Sequence, residues 1–329
     1  MTTLITGGSG FVGLNLAEFL LGRGEEVVLF GPSPPPAAAT AALHRLPGRL
    51  SMIAGDVCSA ADLDAALAAH PVTRIAHGAA VTADRAREER AAREIFSVNV
   101  LGTIEVLEAA LRHRVRRVVQ LGTGSIFGAA GRASAVLDEV SSPVFPETMY
   151  GISKFAAERT GLRYRGTRGL NLTVARLGTV FGRWEYATGV RDTLSLPLQL
   201  LGVAEAGGAA VVHAQAPDDW VYSQDVARGL AALLDLPASP EGVYHLSAGM
   251  RWSVADWCAR LKERFPAFSY RLTDDLDECT IGRNNAALRS PMSIERIRRD
   301  AGYAPAFPPA RAFEDFLAWH AAARRDGWA

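Results

Sequence analysis

Cysteine is scarce in this chain of 329 residues, and Cys58, Cys258 and Cys279 have neither paired nor metal-ligand spacing. That excludes a disulfide framework and points to a reducing compartment. C-x-x-C and H-E-x-x-H are both missing, so no metal site is expected. Charge of either sign is not in excess: Lys plus Arg and Asp plus Glu both total 35. No net field exists to draw in nucleic acid or an acidic membrane, and a small, locally recognised ligand is the expected partner. No long apolar run and no basic leader precede the first strand-like residues, which reads as a soluble cytoplasmic protein. The length suffices for one large domain or two ordinary ones with a substantial core, and no glycine-rich linker divides it.

What the chain does have is glycine in a telling place. Leu4 and Ile5 form a short apolar strand, Leu14 to Leu21 an amphipathic helix, and Thr6-Gly7-Gly8-Ser9-Gly10-Phe11-Val12-Gly13 lies between them. A dinucleotide needs such spacing: Gly7 allows the tight turn, Gly10 lets backbone approach a pyrophosphate, and Gly13 lets the helix pack on the strand. The helix N-terminus then offers N–H groups and partial positive charge to phosphate. A glycine-rich turn without a ligand is the bland alternative. Further short apolar runs follow at Val27 to Phe30, Leu50 to Ala54, Arg74 to His77, Val118 to Leu121 and Leu172 to Ala175. They alternate with helical segments around 12–22, 60–69, 85–112 and 147–166, the rhythm of a parallel sheet covered on both faces. Beyond Phe181 helices are expected near 190–202, 223–235, 253–264, 293–300 and 309–325, with brief strands near 209–212 and 243–246. The fold class is therefore α/β, a doubly wound parallel Rossmann-type sheet with a smaller C-terminal α+β lobe. The expected division is a dinucleotide-binding domain over 1–180 and a substrate lobe over 181–329, with segments of about 209–235 returning to the first domain.

Tyr150-Gly151-Ile152-Ser153-Lys154 carries the chemistry. Residues four apart on a helix share one face. Using a phenolate near neutrality means lowering a pKa of about 10 by roughly 3 units, or about 4 kcal/mol. One ammonium about 4 Å away, at an effective dielectric of about 20, contributes about 4 kcal/mol. Tyr150 is then the expected general acid or base, with Lys154 as its activator. A Y-x-x-x-K pattern by itself also suits an ordinary amphipathic helix.

With these residues the chain resembles an extended short-chain dehydrogenase/reductase of the NAD-dependent epimerase/dehydratase type. Gly55-Asp56-Val57, His77-Gly78-Ala79-Ala80, Asn99-Val100-Leu101-Gly102-Thr103 and Leu121-Gly122-Thr123-Gly124-Ser125-Ile126-Phe127-Gly128 each match a family segment in order, over roughly the first 180 residues. The resemblance implies a catalytic set of Thr123, Tyr150 and Lys154, with Thr123 donating to the substrate oxygen. It implies a cofactor site formed by Gly7, Ser9, Gly10, Phe11, Val12, Gly13, Gly31, Asp56, Val57, Gly78, Ala79, Ala80, Asn99, Tyr150, Lys154, Gly178 and Val180. Taken singly, Asp56 also reads as a turn residue, His77 as a satisfied buried histidine, Asn99 as a mid-helix polar group, and Thr123 and Ser125 as loop hydroxyls. Thr82, Ser125, Thr179, Arg183 and Arg191 are the candidate substrate contacts. Either arginine is expected to grip a carboxylate or phosphate, or else to pair with Glu185 or Asp192. The implied activity is hydride transfer between a nicotinamide and a sugar-like or sugar-acid secondary alcohol, with cofactor NAD(P) and NAD favoured over NADP. The position that is acidic in NAD-preferring relatives is Gly31 here, yet no Arg or Lys lies between Gly31 and His44 to attract a 2′-phosphate.

Departures from the family narrow the reading. Gly124 and Ser125 stand where sugar-nucleotide 4,6-dehydratases carry Asp-Glu, which argues against water elimination. Thr179 and Asp218 replace the Asn and Arg common in relatives acting on nucleotide sugars, and weaken that reading. A nucleotide-sugar epimerase is the alternative, a non-catalytic dinucleotide-binding regulator the remote one. The resemblance further implies a homodimer through the helices at 85–112 and 147–166.

Overall fold

The computed structural model describes residues 1–214, 219–281 and 289–328. Asp218, one of the departures above, lies outside the described residues. The elements run β1 (Thr2–Thr6), α1 (Phe11–Gly22), β2 (Glu26–Gly31), α2 (Ala37–His44), β3 (Arg49–Ala54), α3 (Ala60–Ala69), β4 (Arg74–His77), α4 (Arg85–Phe96), α5 (Gly102–Arg112), β5 (Arg117–Thr123), α6 (Met149–Arg168) and β6 (Leu172–Leu177). They continue through β7 (Thr179–Phe181), α7 (Leu196–Glu205), β8 (Ala209–His213), β9 (Trp220–Tyr222), α8 (Ser223–Asp235), β10 (Val243–Leu246), α9 (Val254–Arg264), β11 (Ser269–Thr273), α10 (Glu295–Ala301) and α11 (Pro309–Arg325).

Seven strands form one parallel sheet in the order β3-β2-β1-β4-β5-β6-β10. Its central strands β1, β4, β5 and β6 are buried along their whole length, which is why they read as continuous apolar runs rather than alternating ones. One face is covered by a core that includes Leu14, Leu16 and Leu20 of α1 and Val226, Leu230 and Leu233 of α8. The opposite face is covered by Leu63 and Ala66 of α3 and Val106 and Leu107 of α5. The strand order reverses between β1 and β4, and ligands of open α/β sheets bind in the crevice beyond the carboxyl ends at such a point.

The segment at 85–112 is not one helix. α4 kinks at Ala91 and passes through a π-helical stretch, Ser97–Leu101, before α5. The widened turn carries Asn99 inward: its side chain accepts from Val81 N at 2.8 Å and donates to Val81 O at 3.1 Å and Ser153 Oγ at 3.0 Å. This ties the loop after β4 to α6, and π-bulges recur where function needs a helix to turn a side chain inward. The helix expected at 190–202 begins only at Leu196, capped by Ser195, whose hydroxyl accepts from Leu198 N, with Pro197 in its first turn. Residues 188–193 instead form an irregular, bent segment, with Gly189 left-handed at φ of +76° and a single isolated bridge between Thr82 and Arg191.

The expected return of 209–235 to the first domain is corrected in part. β8 pairs with β11 in a separate two-stranded sheet, because its apolar residues Ala210 and Val212 join the aromatic core built on Phe181, Trp220, Trp252 and Trp257. Val221 of β9 and then α8 pack into the core over the large sheet, which β10 completes.

Behind the sheet's carboxyl edge, Arg176 of β6 meets Glu158 of α6 in a bidentate pair, with Nε to Oε2 at 2.8 Å and Nη2 to Oε1 at 2.7 Å. Both side chains are buried, so removing one partner strands a charge. Arg176→Met is expected to cost about 3–5 kcal/mol in urea unfolding. Adding Glu158→Leu should recover most of that loss; a double variant no more stable than the single one would contradict this.

Candidate active site

The crevice at the strand-order reversal is a cleft of roughly 680 Å³. Gly7, Gly10, Phe11, Val12 and Gly13 line one end, Thr123, Ser125, Tyr150 and Lys154 the other. The glycine turn fits a dinucleotide on steric grounds. Gly7 has φ of +67°, and a Cβ there would lie 2.9 Å from Ala79 N and Cα. A Cβ on Gly13 would lie 2.5 Å from Gly7 O, so helix and turn close up only because both positions are bare. α1 starts directly after Gly10 with no side-chain cap, which leaves its first N–H groups directed to a ligand.

Tyr150 sits in the first turn of α6, whose start is fixed by Thr148 Oγ1 accepting from Gly151 N at 3.0 Å. Lys154 follows one turn later on the same face and is buried. Thr123 ends β5 in extended conformation, and its hydroxyl accepts from Ser125 N at 3.1 Å and donates to Ser125 Oγ at 3.2 Å. Desolvation pushes the Tyr150 phenol above its ordinary range; hydrogen bonds with Thr123 and Thr82, and the charges of Arg191 and Arg289, act in the opposite direction. Lys154 lies a turn deeper, where burial draws its ammonium down to about 8, Glu158 opposes that, and its charge bears on His77.

Other expected residues fall where their local chemistry sends them. His77 is the satisfied buried histidine, bonded to Thr6 Oγ1 at 2.7 Å and Thr103 Oγ1 at 2.9 Å, and burial lowers it to about 3. Gly78, Ala80, Gly178, Thr179 and Val180 line the cleft, as do Thr82 and Arg191. Ser9, Gly31, Asp56, Val57, Ala79 and Asn99 are not among its walls. Ser9 O accepts from Tyr186 Oη at 2.7 Å, and a Cβ on Gly31 would lie 3.9 Å from Ser9 Oγ. Asp56 Oδ1 accepts from Cys58 N at 2.9 Å, the turn role, and Val57 belongs to the core beneath the sheet.

The two arginines divide. Arg183 is corrected to a structural residue, because Nε and Nη2 clasp Asp315 of α11 at 2.9 and 2.6 Å. Arg191 both lines the cleft and pairs with buried Glu185 at 2.7 Å, its guanidinium 4.9 Å from the Phe11 ring centroid. Motif reading missed Glu88, whose Oε1 accepts from Tyr150 N at 3.4 Å, and Arg289, whose Nη2 donates to Thr179 Oγ1 at 3.1 Å.

The model of the NAD dependent epimerase/dehydratase family matches residues 3–249. The chain belongs to that family. It is 25% identical over 346 residues to a dTDP-glucose 4,6-dehydratase of Actinoplanes sp., covering 98% of this chain and 99% of that one. It is 24% identical over 344 residues to UDP-glucuronate 4-epimerase 3 of Arabidopsis thaliana, covering 97% and 76%. The crystal structure of DesIV, a dTDP-glucose 4,6-dehydratase from Streptomyces venezuelae with NAD bound, superposes with a TM-score of 0.81 at 26% identity, covering 100% of this chain and 98% of that one. The protein is thus an NAD-dependent enzyme of the extended short-chain dehydrogenase/reductase type, and its chemistry is hydride transfer. Among the described residues no group of His, Cys, Asp and Glu could hold a metal ion, and no helix is long and apolar enough to cross a membrane.

Lys154 gives the site a pH dependence of known sign. Its ammonium is present below about 8 and lost as pH rises through that value. NAD affinity is expected to fall over that range in the wild type and to be flat in Lys154→Met, measured by calorimetric titration. A wild-type profile as flat as the variant's would contradict the assignment.

Proposed function

We propose that the protein oxidises or reduces a secondary alcohol or ketone of a sugar-like or sugar-acid substrate, with Tyr150 carrying the proton. The observation that carries this is the meeting of Tyr150, Thr123 and Lys154 in one cleft with the glycine turn. Bound NAD supplies the two-electron hydride acceptor or donor. Gly7 to Gly13 and the α1 terminus would hold its phosphates, and Lys154 would donate to its ribose. In the oxidative direction the carbinol C–H bond breaks as hydride leaves, and the hydroxyl proton passes to the Tyr150 oxygen. Thr123, with Ser125 beside it, donates to the substrate oxygen and keeps it in line. Thr82, Thr179 and Arg191 face the substrate end, where Arg191 suits an anionic substituent once Glu185 has fixed its orientation.

The second reading is a nucleotide-sugar epimerase, in which a ketone turns over within the cleft before hydride returns. Relatives named for dTDP-glucose and UDP-glucuronate support a nucleotide-sugar substrate. Positions 124 and 125 offer no carboxyl group for eliminating water, which favours either reading over a dehydratase. We place the protein in the cytoplasm, as its three unpaired thiols suit a reducing compartment. We assign it as a homodimer through α4 to α6, where Leu101 and Ile152 are exposed apolar residues.

The test is a screen of sugars, aldonates and nucleotide sugars with NAD and NADP, read in the reduced-nicotinamide absorbance band. Net reduction with a free or acid sugar supports the dehydrogenase; interconversion of epimers without added oxidant supports the epimerase. Tyr150→Phe is expected to lower kcat by about 10²- to 10⁴-fold while NAD affinity stays within twofold. Full activity in that variant would reject the proton-carrier role.

A further inference from the structure

We propose that Tyr186 is a positioning residue for NAD: its phenol holds the Ser9–Gly10 peptide of the glycine turn, and Trp328 seats the ring that does so. The inference goes beyond the hydride-transfer reading, because it concerns how the cofactor is held whichever substrate is turned over.

The contact is specific. Tyr186 Oη donates to Ser9 O at 2.7 Å, across 177 positions of sequence. The N–H of the same peptide, on Gly10, donates to Gly7 O at 2.9 Å. In a trans peptide the carbonyl and the N–H point in opposite directions, so a bond at each end fixes the plane. α1 begins at the next residue, Phe11, without a side-chain cap. The plane of the Ser9–Gly10 peptide therefore sets where the first N–H groups of α1 point, and these are the groups a pyrophosphate needs. Gly10, Phe11 and Val12 line the cleft and Tyr186 does not, so Tyr186 acts on the ligand through the turn.

The segment that carries Tyr186 is strained and tightly held. Trp184 has φ of +62°, and with Arg114 it is one of two non-glycine residues at positive φ among the described residues. A bulky residue persists there only where its surroundings over-determine it. Trp184 Nε1 donates to Glu18 Oε2 of α1 at 3.0 Å, and Asn15 Nδ2, also of α1, donates to Arg183 O at 2.7 Å. Two tryptophans pack on the same segment edge-to-face: Trp328 meets Trp184 at 5.1 Å and Tyr186 at 5.2 Å between centroids, and Trp319 of α11 meets Trp184 at 5.0 Å. Trp328 is only 5% exposed. Tyr186 thus touches Trp328 with its ring and the glycine turn with its hydroxyl. Burial raises the Tyr186 phenol above its ordinary range, so it remains a donor through neutral and mildly alkaline pH.

The test is calorimetric titration of NAD, ADP-ribose and adenosine into the full chain, with urea unfolding alongside. Tyr186→Phe keeps the ring on Trp328 and loses only the hydroxyl. It is expected to weaken NAD about three- to tenfold, the worth of one hydrogen bond. ADP-ribose, which carries the same pyrophosphate, should weaken equally, and adenosine, which carries none, should be unchanged. Trp328→Ala should weaken NAD comparably, and Trp328→Phe, which retains an aromatic ring, should stay within twofold of wild type. Joining Tyr186→Phe to Trp328→Ala should add little, since both act on one carbonyl. Wild-type NAD affinity in folded Tyr186→Phe overturns the proposal, as does a loss of adenosine binding in step with NAD, which marks a general loosening of the fold. Fully additive losses in the double variant overturn the role of Trp328. Should Tyr186→Phe not fold, wild-type NAD affinity in Trp328→Ala overturns the proposal alone; should Trp328→Ala not fold, Trp328→Leu takes its place. No substrate is needed, so the result stands or falls apart from the hydride-transfer reading.

Discussion

A phenol that is to pass a proton inside a partly dry cleft must be held against desolvation, and much of this structure answers that constraint. Burial alone makes Tyr150 a weaker acid. Two hydroxyls and two guanidinium groups oppose it, and each arrives from a different part of the chain: Thr82 from the loop after β4, Thr123 from the end of β5, Arg191 from the segment leaving the large sheet, Arg289 from the far C-terminal third. Four elements must therefore pack correctly before the phenol is set, so catalytic readiness depends on the whole fold rather than on one helix.

The scaffold for this convergence is local and explicable. Parallel order places the ends of β1, β4, β5 and β6 along one edge, and the reversal between β1 and β4 opens the crevice there. Buried polar groups then fix the loops. Asn99 clamps Val81, Glu185 accepts from Ser195 N and Oγ at 2.6 Å each while pairing Arg191, and Arg87 grips Asp192 at 2.7 Å. The last of these keeps the 188–193 segment beside Thr82, so that backbone bonds join Thr82 N to Val190 O at 2.8 Å. Without such clamps the segment would be an ordinary surface loop, and Arg191 would lose its aim.

The large sheet was legible because its strands are short apolar runs between amphipathic helices, and hydrophobic period survives tertiary context there. The helix expected at 60–69 coincides with α3 and that at 309–325 with α11. β7, β9 and β11 were not legible: three to five residues give too short a pattern, and β7 and β9 pair only with each other. The glycine turn and Tyr150 with Lys154 were readable since each chemistry demands a fixed spacing. Arg183 misled because its partner, Asp315, lies 132 positions away, beyond any local pattern. Arg289 was invisible for the mirror-image reason: it belongs to no motif, and only the bare Cα of Gly124 hints that something else fills that space.

The most direct test of the account is a crystal structure of the enzyme with NAD bound. The expected result has the pyrophosphate over Gly7 to Gly13, Lys154 on the ribose, and the Tyr150 oxygen facing the space above the nicotinamide ring. A dinucleotide bound elsewhere, or a Tyr150 ring turned out of the cleft, would contradict it.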